Sequence, residues 1–141
     1  MKIAMPVWEN KISPVLDTAS RLLVLEMKEG GDMSRYEIFL DERDLSKRCH
    51  RIMGLGVDTL ICGAVTRHFS DMLEALGIDL IPGISGQPDD VLHACFEGRL
   101  AHSKYLMPGS SREGVEKKIK EIDFGEYTKT RADETKKTVK P

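Results

Sequence analysis

The sequence predicts an α/β protein built on one mixed five-stranded sheet with helices on both faces. Three observations carry that expectation. Thr59-Leu60-Ile61-Cys62 is an unbroken apolar or β-branched run, the pattern of a strand covered on both sides. Phe69, Met72, Leu73 and Leu76 then fall at i, i+3, i+4 and i+7, one helical stripe, and Gly77 closes it. A second apolar run, Ile78 to Pro82, follows at once. Such a strand–helix–strand unit makes its two strands parallel and its crossover right-handed.

The other elements take their places around that unit. Lys2 to Val7 is a nearly all-apolar first strand, with Pro6 limiting its pairing on one side. Trp8 to Ser20 reads as a loop, from the turn chemistry of Glu9-Asn10-Lys11 and Ser13-Pro14. Arg21 to Lys28 is a second strand. It turns at Glu29-Gly30-Gly31-Asp32 into an antiparallel third strand, Ser34 to Leu40. Leu45, Cys49, Ile52 and Met53 mark the buried stripe of a first helix, ended by Gly54 and Gly56.

Beyond the central unit, Pro88 suits the first position of a third helix, with Asp89 and Asp90 in its first turn. Val91, Leu92, Cys95 and Phe96 are its buried face. Ala101 to Gly109 reads as an extended connector. Ser110 and Glu113 have capping-box spacing ahead of a weak last helix carrying Val115, Ile119 and Ile122. From Tyr127 the chain is charged and Thr-rich, the composition of a disordered tail. The expected organisation is one α/β domain over 1–109, a helix over 110–126 and a tail over 127–141. A hairpin on one side of the first strand and the parallel unit on the other give the order 3-2-1-4-5, with strand 2 antiparallel.

Composition excludes several classes of function. A net charge of -2 over 141 residues gives no pull towards nucleic acid or anionic membranes. No apolar run is long enough to span a bilayer, and the start of the chain lacks a signal-peptide core. Three widely separated cysteines argue against a disulfide framework and for a reducing, cytoplasmic setting.

In open α/β sheets, ligands bind beyond the carboxyl ends of the parallel strands, at the switch point in strand order. Here that point lies between strands 1 and 4. Three loops are expected to meet there: 8–20, 63–68 and 82–87. They supply the candidate ligand-binding residues Asn10, Lys11, Ser13, Gly63, Thr66, Arg67, His68, Ser85 and Gly86. Helix amino termini near Thr66 and Pro88 would aim unbonded N–H groups at the site, and Lys11, Arg67 and Arg21 would add positive charge. That combination selects an anion. Cys62 and His68 are the candidate metal ligands, a soft thiolate and an imidazole. The competing roles are core packing for Cys62 and a surface or capping position for His68.

Three stretches also carry a family likeness. They are Ile12-Ser13-Pro14-Val15 after an apolar first strand, Gly56 to Gly63, and Gly77 to Gly86 followed by an acidic helix ending Glu97-Gly98-Arg99-Leu100. Together they resemble the dinitrogenase iron–molybdenum cofactor biosynthesis family, which includes the carriers NifX and NafY and a domain of NifB. The resemblance covers about Met1 to Gly109. It implies a ribonuclease H-like fold and a non-enzymatic carrier or accessory role, related to nitrogen fixation. The implied ligand is an iron–sulfur or iron–molybdenum-type cluster, with cluster donor and acceptor proteins as partners and His68 as a cofactor ligand.

Other classes compete on the residues themselves. A nuclease needs carboxylates on central strands, yet strand 1 has none and Asp58 lies at the wrong end of strand 4. A thiol enzyme using Cys62 and His68 lacks an evident third orienting group. The alternative that remains is a regulatory module binding a small anionic metabolite or a partner protein.

Overall fold

The computed structural model describes residues 1–122. The end of the expected last helix and the whole tail over 127–141 lie outside the described residues. The strands are β1 (Lys2–Trp8), β2 (Lys11–Ile12), β3 (Arg21–Met27), β4 (Met33–Phe39), β5 (Thr59–Ile61) and β6 (Asp79–Ile81). The helices are α1 (Leu45–Gly54), α2 (Arg67–Ala75), α3 (Pro88–Phe96) and α4 (Arg112–Glu121), with a short 3₁₀ turn at Ser103–Tyr105. The sheet runs β4-β3-β1-β5-β6, and β2 pairs separately with β1. It therefore has six strands where the sequence predicts five. β3 is antiparallel to β1 and β4, while β1, β5 and β6 are mutually parallel.

Side-chain alternation along the strands splits the core into two layers. Ile3, Met5 and Val7 of β1 join Leu23, Leu25, Ile61 and Ile81 under α3 and α4. Ala4, Leu22, Val24, Leu60, Cys62 and Leu80 face the other way, under α1 and α2. Cys49 and Ile52 of α1, and Phe69 and Leu73 of α2, close that second layer.

Four local expectations are corrected. The stretch after Trp8 is not all loop: Glu9 and Asn10 take left-handed φ of 50° and 61° and fold Lys11–Ile12 back onto β1. Two successive positive φ values make the tight hairpin turn whose twist matches its strands. The helix-capping serine of α4 is Ser111, which accepts from the Gly114 N–H, while Ser110 donates to the Gly83 carbonyl. In α1 Met53 is exposed, because the buried arc is centred on Arg48, Cys49 and Ile52. The 101–109 connector is not simply extended, since the 3₁₀ turn bends it and Leu106 then bridges Ile84.

Arg48 is only 3% exposed. Its guanidinium donates to the carbonyls of Leu16 and Ala19 in the first loop and of Leu40 and Glu42 before α1. Burial lowers its pKa, and the carboxylates of Glu42 and Asp17 oppose that shift. Truncating Arg48→Ala would remove a donor from four carbonyls, of which Leu16 alone keeps another, the Ala19 N–H, among the bonds described. We expect a loss of about 2–4 kcal/mol, measured by urea unfolding, with Arg48→Lys restoring only part because an ammonium cannot copy the planar fork.

Candidate functional site

The three loops beyond β1, β5 and β6 are tied together by main-chain hydrogen bonds. Ala64 N–H donates to the Pro14 carbonyl and Leu16 N–H to Ala64, both at 2.8 Å. Gly83 N–H donates to Gly63 and Ile12 N–H to Gly86, both at 2.9 Å. Gly63 is the point of closest approach. A Cβ there would stand 2.7 Å from the Pro14 oxygen and 2.9 Å from the Ser13 oxygen, so any side chain would push the loops apart.

This bonding also corrects the expected role of the loop amides. Those of Ala64, Gly83 and Ile84 are engaged by backbone carbonyls, and that of Ser85 by Tyr105. The Thr66 N–H goes to Asp17 Oδ1 at 3.0 Å, and the Thr66 hydroxyl donates to Asp17 Oδ2. Thr66 Oγ1 in turn accepts from the Phe69 N–H, capping α2. The protein's own carboxylate thus stands beside the start of α2, where an incoming anion was expected. The start of α3 is no better prepared, because Pro88 has no N–H and Asp89 and Asp90 bring negative charge.

What remains for an outside ligand is the first turn of α2. Arg67 and His68 are exposed, and their backbone N–H groups have no hydrogen-bond partner among the described residues. Ala64 lies exposed beside them and Val65 half-buried. Ser13 and Gly63 are buried beneath this rim, and Ser85 and Gly86 are half-buried on it.

Asn10 and Lys11 are carried outward on the β1–β2 hairpin. Asn10 lines a separate open cavity of about 320 Å³ with Trp8, Arg21, Arg35, Glu37 and Gln87. Arg21 stacks over the Phe39 ring at 5.2 Å, away from the α2 turn. Asp17 and Arg48 are the organising residues that sequence reasoning misses. A lone acid in a loop and a lone arginine on a helix carry no local pattern to mark them.

Cys62 is 0% exposed, packed between the sheet and α2. Burial, reinforced by the Asp17 carboxylate, pushes its thiol up to about 12. Cys95 on the other face is also raised to about 12 by burial. A neutral thiol inside the core is a packing group at neutral pH, not a ready thiolate ligand. Among the described residues, no three His, Cys, Asp or Glu side chains come together as a metal-binding group.

No family model matches the chain, and neither does any curated protein sequence. Solved structures do match it in fold. The protein PH0822 aligns at a TM-score of 0.67 and 14% identity, covering 78% of this chain and 96% of its own. A protein provisionally named a dinitrogenase, from Methanocaldococcus jannaschii, aligns at 0.56 and 22%, covering 70% and 90%. The apo form of the orange protein from Desulfovibrio gigas aligns at 0.58 and 15%, covering 77% and 93%. At these identities the likeness is one of fold.

Two measurements check the site's construction. Asp17→Ala removes the acceptor of two Thr66 hydrogen bonds, and we expect a loss of about 1–2 kcal/mol in chemical denaturation. Cys62 and Cys95 have folded pKa values above the ordinary value of 9.0. Their contribution to stability is fully present below pH 9 and is lost as pH rises towards 12, because only the unfolded thiols ionise in between. Native protein at pH 8 should therefore resist thiol alkylation at both positions, and urea should expose them.

Proposed function

We propose that this chain is a small, non-enzymatic carrier or accessory protein that holds an anionic iron–sulfur-type cluster, of the iron–molybdenum kind, as cargo. The observation that carries this reading is the exposed Arg67–His68 turn. A cation, an imidazole and two unbonded amides face outward from a rim whose loops are locked to one another. The cargo would come from and pass to other cluster-handling proteins, in the reducing cytoplasm that suits three free thiols.

The donor set fits a cargo better than a resident group. One imidazole and a short cationic turn suit a cluster that brings its own sulfide and carboxylate ligands. The Asp17 carboxylate nearby keeps the hold weak, as release to an acceptor requires. The names of the structural neighbours support the same direction. One is provisionally a dinitrogenase, and another is named for a colour and was solved in an apo form. They also favour the ribonuclease H-like, NifX-related ancestry that the three sequence stretches imply.

Anaerobic incubation with iron and sulfide tests this. The wild-type protein is expected to turn brown, with visible charge-transfer absorption. His68→Ala and Arg67→Ala should lower retained iron several-fold, while Cys62→Ala should leave it unchanged. A colourless wild-type protein under these conditions would assign the turn to a small anionic metabolite instead.

A further inference from the structure

The two edges of the sheet are treated differently. β6 is three residues long, and α4 packs against it. β4 is seven residues long, and among the described residues its only strand partner is β3. Folded proteins usually shorten, cover or charge such an edge, because its open backbone can add another strand. β4 does carry charge, but in an unusual arrangement: Met33-Ser34-Arg35-Tyr36-Glu37-Ile38-Phe39 has opposite charges placed symmetrically about Tyr36.

The hydrogen-bond parity of the hairpin shows which backbone groups are open. Lys28 N–H donates to the Asp32 carbonyl, and Leu40 N–H to the Ser20 carbonyl, both at 2.8 Å. Bonded pairs alternate along an antiparallel ladder, so Ser34, Tyr36 and Ile38 face β3. Arg35 and Glu37 therefore turn their N–H and C=O groups away from the sheet.

We propose that β4 pairs antiparallel with β4 of a second copy of this chain, about a two-fold axis through Tyr36. In that register Arg35 exchanges both main-chain hydrogen bonds with the partner's Glu37, and Glu37 with the partner's Arg35. Open backbone groups meet open backbone groups, and each guanidinium lies across from a carboxylate on the same face. Further out, Met33 lies opposite the partner's Phe39. Phe39 is 60% exposed, among the most exposed large apolar side chains described. Charge selects this register over its neighbours. Shifting by one bonded pair sets Arg35 against the partner's Arg35, or Glu37 against the partner's Glu37. The Arg35–Asp89 ion pair within one copy does not compete strongly, because both groups are well exposed. The sheet would become continuous across the two-fold, leaving the α2 turn of each copy open.

Charge swaps test the pairing. The wild-type protein should show a monomer–dimer equilibrium in analytical ultracentrifugation. Arg35→Glu or Glu37→Arg alone should weaken association at least about tenfold, since each creates two like-charge pairs across the axis. The double variant R35E/E37R restores opposite pairs and should restore the dimer. It still lacks the Arg35–Asp89 contact, so rescue cannot be credited to that contact. Circular dichroism melts establish that each variant is folded.

A second measurement reads the register directly. Residues facing each other at the axis as a non-bonded pair have Cα atoms about 4.5 Å apart, within disulfide reach. Tyr36→Cys should therefore cross-link into a covalent dimer on mild oxidation, whereas Ser34→Cys should not. The three native cysteines are buried and do not interfere. A monomer at every concentration, a dimer indifferent to both single charge reversals, or cross-linking of Ser34→Cys in place of Tyr36→Cys would overturn the proposal.

Discussion

One buried guanidinium holds the loop side of this molecule in place. Arg48 reaches from α1 into the core and gathers carbonyls from two segments far apart in sequence. Two of its acceptors, Leu16 and Ala19, flank Asp17. Fixing them fixes the carboxylate that binds Thr66, and Thr66 sets the first turn of α2. The geometry of the exposed Arg67–His68 turn thus depends on a residue that never approaches it. A charge is expensive to bury, and here the cost is offset by a fork of donors meeting main-chain oxygens.

The same loops show why convergence at a strand end does not by itself make an anion site. Each loop amide that could have pointed outward was a candidate donor. Most are instead used to stitch one loop to the next, because buried amides without partners are costly. Rigidity and ligand donors compete for the same N–H groups. At Ala64, Gly83, Ile84 and Ser85 the rim resolves the competition in favour of rigidity, whereas the start of α2 leaves the Arg67 and His68 amides open, as a helix terminus does. The candidate turn is therefore small and positioned by its neighbours.

The sheet separates two kinds of surface. The carboxyl ends of β1, β5 and β6 carry the loop rim, while β4 presents an open edge at the far side of β3. The strained Glu9–Asn10 turn closes the β1–β2 hairpin, whose tip with Trp8 overlooks the cavity shared with Arg21 and Arg35. A chain that pairs through β4 would keep its rim accessible, so assembly and cargo holding would not exclude one another.

The amino-acid sequence by itself determined the local elements, because their signals are local. The unbroken Thr59–Cys62 run, the Phe69–Leu73 stripe, the Gly30-Gly31 turn and Pro88 at the head of α3 each specify their element through neighbours a few residues away. The meeting of the three loops was also legible, since parallel strands must end on the same side. Whether the amides there were open, whether Cys62 was a ligand or a core thiol, and what occupied the start of α2 were decided only by the tertiary structure. Those outcomes rest on Asp17 meeting Thr66 and Arg48 meeting Leu16, contacts across 49 and 32 positions of chain. No periodicity records such contacts, because hydrogen bonds and desolvation depend on distance in space rather than along the sequence.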